Sequence, residues 1–284
     1  MKIAQNWKDY KIIATGDGQK LERWGNVILL RPDPQVIWRA SIDMQNYPGL
    51  NAAYIRSSSG GGRWHILKEF DDSWTINYKN YTFLVKPTGF KHTGLFPEQA
   101  VNWDMMEALI KKRGECNILN LFAYTGAASV VCAFSGAKVT HVDAAKGMVE
   151  RAKENAKLNN INTIRYIVDD CLKFVNREIK RGNKYDAIIM DPPSYGRGPN
   201  GEMWKLEDNI FELAERCSEL LSDKPLFYLI NSYTTGLQPS VMGNILKKVT
   251  NRFKGRIEAY EVVLPTQEKD IVLPCGASAV FIGE

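Results

Sequence analysis

Cysteine is scarce in this chain and poorly placed for any shared duty. The 284 residues include five, Cys116, Cys132, Cys171, Cys217 and Cys275. The number is odd, the spacing wide and no Cys-x-x-Cys occurs, which argues against a disulfide framework and a cysteine zinc site. The histidines, His65, His92 and His141, are too scattered to suggest a metal cluster, so no metal is expected. Long apolar runs are missing too. None approaches the ~20 residues of a membrane-crossing helix, and Met1-Lys2-Ile3-Ala4-Gln5-Asn6-Trp7-Lys8 has no apolar signal core. A cytoplasmic location without a membrane partner is the expectation. Charge of one sign is also limited. The net charge of +5 is compatible with nucleic acid as a partner but does not by itself require it.

What is present fits a soluble globular protein, with 44% hydrophobic and 24% charged residues. The length suits one large domain plus a small one. Residues 1–90 are rich in Trp, Tyr, Gly and Asp. Short runs such as Val27-Ile28-Leu29-Leu30 and Tyr81-Thr82-Phe83-Leu84-Val85 are separated by turn clusters at Gly16-Asp17-Gly18 and Ser57–Gly62. This pattern predicts a small β-rich domain.

From 91 to 284 the pattern becomes alternating helix and strand. Helices are expected at Pro97–Lys112, Gly126–Ser135, Lys146–Leu158, Cys171–Lys180, Leu206–Leu221 and Gln238–Val249. Strands are expected at Asn117–Phe122, Lys138–Val142, Ile164–Val168, Tyr185–Met190, Pro225–Ile230, Ile257–Leu264 and Ile271–Ile282. Repeated βα units imply a parallel sheet covered on both faces. The short link between the last two strands permits an antiparallel hairpin, whereas a parallel pair needs a longer crossover.

In such sheets, ligands bind beyond the carboxyl ends of the strands. The first α/β strand runs into Asn120-Leu121-Phe122-Ala123-Tyr124-Thr125-Gly126. A glycine turn here is a nucleotide-binding position, but it lacks the three glycines of a dinucleotide fingerprint and the Gly-Lys-Ser/Thr of a P-loop. Bulky Tyr124 stands where close backbone approach to a pyrophosphate calls for glycine. The expected ligand is a nucleoside without phosphates. Asp143 closes the second strand, beside Ala144, where a carboxylate accepts hydrogen bonds from a ribose diol. Asp170 follows the third strand. It suits an adenine amino group, with the Cys171 amide alongside, and equally suits the N-cap of the next helix. The fourth strand runs into Asp191-Pro192-Pro193-Ser194-Tyr195.

Taken in order, these motifs resemble the class I S-adenosylmethionine-dependent methyltransferases. More closely, they resemble the bacterial family related to large-subunit ribosomal RNA methyltransferases. The likeness rests on Lys91-His92-Thr93-Gly94-Leu95-Phe96-Pro97-Glu98-Gln99, Asn120–Gly126, Val142-Asp143-Ala144, Asp191–Gly198 and Leu273-Pro274-Cys275-Gly276. It implies a seven-stranded Rossmann-like sheet ending in an antiparallel hairpin. It also implies S-adenosyl-L-methionine as cofactor, RNA as substrate, and Phe96 and Gln99 beside the donor. Phe96 fits a hydrophobic staple for the following helix as well. Donor contacts are expected from Phe122, Tyr124, Thr125, Gly126, Asp143, Ala144, Asp170, Cys171 and Asp191.

For the acceptor, Asp191 and a carbonyl of Pro192 or Pro193 suit the two N–H bonds of an exocyclic amine. The prolines fix the turn, and Tyr195 suits stacking on a base, or a structural hydrogen bond through its hydroxyl. Pro193, Ser194, Arg197, Trp204 and Lys205 are candidate substrate contacts, the last three in a lid-like segment or an ordinary solvated loop. Carbon methylation of cytosine needs a cysteine nucleophile. The loops after the fourth and fifth strands, Asp191–Tyr195 and Asn231–Thr235, hold none, and Cys275 is remote. Nitrogen is therefore the preferred acceptor atom, with ring nitrogen, exocyclic nitrogen and a protein glutamine all left open. Protein or small-molecule methylation and a non-catalytic nucleotide-binding module are the rival readings.

Overall fold

The computed structural model describes residues 1–57, 61–89, 91–197, 203–234 and 236–284. It contains seventeen strands among these residues. The first eight are β1 (Lys2–Ile3), β2 (Tyr10–Gly16), β3 (Gln19–Trp24), β4 (Val27–Pro32), β5 (Ala52–Arg56), β6 (Gly62–Ile66), β7 (Trp74–Tyr78) and β8 (Tyr81–Val85). A 3₁₀ turn, Pro97–Gln99, then leads into α1 (Ala100–Arg113). The α/β run follows as β9 (Asn117–Leu121), α2 (Ala127–Phe134), β10 (Lys138–Asp143), α3 (Lys146–Leu158), β11 (Arg165–Val168), α4 (Cys171–Arg181) and β12 (Ala187–Met190). The remaining elements are β13 (Tyr195–Arg197), β14 (Met203–Lys205), α5 (Leu206–Glu219), β15 (Phe227–Ser232), α6 (Pro239–Val249), β16 (Gly255–Pro265) and β17 (Val272–Gly283).

The chain packs as two compact units. One comprises residues 1–2, 102–262 and 276–284; the other comprises 3–101 and 263–275. The β-rich unit therefore runs past residue 90 and takes in a second, distant chain segment.

The large unit is built on a sheet of order β1-β16-β17-β15-β12-β9-β10-β11. Strands β9 to β12 and β15 pair in parallel, and β17 runs antiparallel to β15. This is the seven-stranded Rossmann-like sheet with an antiparallel last strand that the resemblance implies, with the two-residue β1 added at one edge. Side chains alternate between its faces. Leu119, Leu121, Ile188, Met190, Tyr228 and Ile230 join buried residues of α4, α5 and α6 in one core. The opposite face buries Asn120 and His141, both of which hydrogen-bond to Ser129 Oγ of α2. Strand register sets the site. Leu121 lies level with Val142 and with Met190, Met190 with Ile230, and Asp143 with Val168. Phe122, Asp143, Asp169, Asp191 and Asn231 consequently share one rim.

The smaller unit has a five-stranded sheet, β2-β3-β4-β5-β6, and a separate β7-β8 hairpin. Its core gathers Ile13, Ala14, Leu21, Leu30, Met44, Leu50 and Ala53. Buried among the strands is an ion pair. Glu22 Oε2 accepts from Arg31 Nε at 2.6 Å, and Glu22 Oε1 accepts from Arg31 Nη2 at 2.8 Å and from the Tyr10 hydroxyl at 2.6 Å. Among the described residues no helix is long and apolar enough to cross a membrane.

Candidate active site

The turn after β9 is unusual in its backbone. Phe122, Tyr124 and Gly126 all have positive φ, at 54°, 51° and 80°. For Phe and Tyr this left-handed conformation is strained. A set of hydrogen bonds holds it. The Phe122 amide donates to Cys171 Sγ at 3.3 Å, that of Ala123 to Val142 O at 3.1 Å, that of Tyr124 to Asp143 Oδ2 at 2.8 Å, and that of Gly126 to Ala123 O at 3.0 Å. From below, Asn155 Nδ2 donates to the Thr125 carbonyl at 2.8 Å. Gly126 has no space for a side chain: a Cβ there would lie 2.7 Å from Ala152 Cβ.

These bonds decide what the turn can hold. A pyrophosphate loop presents free amides to the anion. Here the amides of Phe122, Ala123, Tyr124 and Gly126 all point back into the protein. The expectation of a phosphate-free nucleoside fits this arrangement.

Asp143 is partly buried, and each of its oxygens already accepts one amide: Oδ2 from Tyr124, and Oδ1 from Ala145 at 2.8 Å. A carboxylate has about four acceptor positions, so capacity remains for a ribose diol. Ala144, next to it, is exposed. Asp169 donates its amide to the Asp143 carbonyl at 3.1 Å, joining the adjacent strand ends, and its side chain is ion-paired with Arg177. Asp170 makes the N-cap foreseen as one of its two readings, accepting from the Lys173 amide at 2.8 Å. Its exposed carboxylate has acceptor positions to spare. The Cys171 side chain is buried, and burial pushes its thiol pKa far up. It acts as a neutral anchor for Phe122.

Just after β12, Asp191 is partly buried, Pro192 is buried, and Pro193, Ser194 and Tyr195 are exposed. The segment expected to form a lid-like loop contains a short hairpin instead. Tyr195 pairs with Lys205, Gly196 with Trp204 and Arg197 with Met203. The tip, residues 198–202, and the Arg197 side chain lie outside the described part, so the candidate contact at Arg197 is placed only by its backbone. Trp204 makes two contacts within the chain. Its indole N–H donates to the Pro193 carbonyl at 2.8 Å, and its ring packs 6.0 Å from that of Phe122. It ties the turn after β9 to the turn after β12. Lys205 is exposed and its carbonyl accepts from Asn209 in α5. The Tyr195 hydroxyl contacts Met203 Sδ at 3.0 Å, leaving the ring half exposed.

Sequence reasoning missed Thr234, Asn155 and Ser129. Thr234 Oγ1 donates to Ser194 Oγ at 2.6 Å, linking the loops after β15 and β12. Asn155 carried a usable signal, a buried-type position in a charged helix; Thr234 carried none. Phe96 and Gln99 belong to the β-rich unit, where the Gln99 amide donates to Phe96 O at 3.1 Å. Their assignment to the donor rests on the resemblance alone.

With sheet order, strand ends and turn chemistry in place, the class is set, and comparison with known proteins agrees. Residues 51–246 match the S-adenosylmethionine-dependent methyltransferase family model, and the chain belongs to that family. The crystal structure of a SAM-dependent methyltransferase from Agrobacterium tumefaciens superposes with a TM-score of 0.93 at 32% identity, covering 100% of this chain and 94% of that one. SMU.776, described as a methyltransferase and solved with SAH, shares the fold at 19% identity and a TM-score of 0.77, covering 98% of this chain and 76% of that one. Among curated proteins, ribosomal RNA large subunit methyltransferase K/L of Shewanella frigidimarina is 36% identical over 144 residues, 49% of this chain and 20% of that protein. The K/L enzyme of Colwellia psychrerythraea is 30% identical over 167 residues, 58% of this chain and 22% of that protein. The matches thus span about a fifth of the length of those curated relatives.

Proposed function

We propose that this methyltransferase acts on a nitrogen of a base in ribosomal RNA. The observation that carries the reading is the Asp191–Tyr195 turn, on the same rim as Asp143 and joined through Trp204 to Phe122 in the turn after β9. The names of the curated relatives support ribosomal RNA as the substrate.

S-adenosyl-L-methionine, when bound, supplies an electrophilic methyl group. Asp143 and Ala144 hold its ribose, Asp170 and the Cys171 amide its base, and Phe122, Tyr124, Thr125 and Gly126 form the wall of the site. For the acceptor, the Asp191 carboxylate and one proline carbonyl accept the two N–H bonds of the amine, aiming its lone pair. The Pro193 carbonyl already accepts one bond from Trp204 at 2.8 Å, so Pro192 offers the carbonyl with both lone pairs open to that contact. Tyr195 stacks on the base, and Ser194, Arg197 and Lys205 contact its flanks and phosphates. Pro193 serves through the turn it stiffens. Alignment of this kind contributes roughly 7–11 kcal/mol in favourable cases.

Incubation with methyl-labelled donor and separated RNA, protein and metabolite fractions tests the substrate. Label is expected in large-subunit RNA; label confined to protein or metabolites rejects the reading. Asp191→Ala is expected to lower methyl transfer by at least a hundredfold, the scale on which positioned polar groups act. A wild-type rate in that variant would remove the proposed chemistry.

A further inference from the structure

The β-rich unit contains a cationic turn that the methyl-transfer site does not use. The chain between β8 and the 3₁₀ turn folds back on itself: the Lys86 amide donates to Thr93 O at 2.9 Å, and the Thr88 amide and hydroxyl both donate to His92 O at 3.0 Å. Three side chains from the five-stranded sheet pin this turn. Tyr54 Oη donates to Gly89 O at 3.1 Å, Trp64 Nε1 to Thr88 O at 2.8 Å, and Arg31 Nη1 to Lys91 O at 2.9 Å. Tyr54 and Trp64 are cross-strand partners on β5 and β6, and Arg56 occupies the same face of that hairpin.

The charges do not cancel. Glu22 is answered by Arg31, and Asp33 by Lys20 at 3.1 Å. Lys91 and Arg56 form no ion pair among the described residues, although Lys91 is half buried and Arg56 is exposed. Burial holds the Lys91 ammonium below its ordinary pKa; Asp33 opposes the shift, and Lys20, Arg56 and Arg31 add to it. His92 beside it is lowered to about 4 by burial and by Arg31, Lys91 and Lys20. A half-buried cation carried on a backbone pinned to the sheet, with other cations near it, is arranged to receive an anion. A protein that holds a polyanionic chain needs such points outside its reacting pocket, because phosphate contacts fix register while the pocket reads the base.

We infer that the turn bearing Lys91, together with Arg56 on the β5-β6 hairpin, is a phosphate-binding site for the RNA backbone. The inference rests on the RNA reading given above.

The test is anisotropy of a fluorescein-labelled single-stranded oligoribonucleotide titrated with the full chain across a salt series. Wild-type affinity is expected to fall with salt. Lys91→Gln and Arg56→Gln are each expected to weaken binding several-fold and to flatten the log–log salt slope by about 0.7. Lys91→Arg is expected to keep it. Lys157→Gln, on α3 of the other unit, is the control for diffuse charge, and unchanged SAH affinity by calorimetry shows that each variant is folded. Salt-dependent binding by wild type with unaltered slopes in both Gln variants would overturn the site and leave the RNA reading standing. An equal loss in Lys157→Gln would likewise reduce the site to general charge. Absence of RNA binding by wild type would overturn both.

Discussion

Removing the Asp143 carboxylate takes two things from the protein at once. The sequence alone suggests a donor contact whose loss leaves the fold largely intact. The structure adds two backbone amides that this side chain satisfies, Tyr124 in a strained turn and Ala145 at the start of α3. Asp143→Ala is therefore expected to weaken SAH binding about tenfold or more, since hydrogen bonds to a charged group contribute about 1.5–3 kcal/mol. It should also lower unfolding stability by about 1–2 kcal/mol; calorimetry and denaturant titration separate the two. Tyr195 gives a cleaner contrast, because its ring is half exposed and its hydroxyl meets the Met203 thioether. Tyr195→Phe should keep turnover. Tyr195→Ala should raise the acceptor KM by the equivalent of about 1–3 kcal/mol of lost stacking and leave SAH affinity unchanged.

At the scale of elements, the glycine turn is the sharpest case. Gly126 has φ of 80° and faces Ala152 of α3 with no room for a methyl group. Gly126→Ala is expected to cost at least ~1 kcal/mol of stability and to disturb donor binding, both visible by thermal shift with and without SAH. Most elements here were legible in the sequence. The apolar runs of β9, β12 and β15 are buried on both faces and so announce themselves, and Lys146–Leu158 carries its own charge pattern and Asn-Asn stop. The β13-β14 hairpin was not legible, because its composition of Tyr, Gly, Arg, Met, Trp and Lys shows no alternation and its pairing depends on a partner across the tip. The same holds for Trp204: nothing in sequence tells that its N–H will meet Pro193 O. Asp170 was readable as a cap but not decidable, since cap and base contact ask for the same residue type.

At the scale of the molecule, the parallel sheet was legible in the βα repeat, whereas its strand order and the joining of residues 263–275 to the β-rich unit were not, because both are long-range pairings with no local signal. Acid should expose the buried polar groups in two stages. Burial lowers His141 to about 4, so the neutral ring adds stability that is whole above its unfolded pKa near ~6.5 and is lost as pH falls toward 4. His92 acts in the same window. Burial alone would raise Glu22, but Arg31 and Lys20 bring it down to about 2. Its share is complete above an unfolded value near ~4.3 and disappears toward pH 2. Unfolding midpoints measured in pH steps should fall first below about 6.5 and again below about 4.3. His141→Gln should flatten part of the first fall only. One last consequence follows from the inward-turned amides behind β9. Four amides there are already engaged, so ATP and NAD are expected to compete poorly with SAH for this crevice, and exchanging chloride for phosphate in the buffer should not alter how tightly SAH is retained.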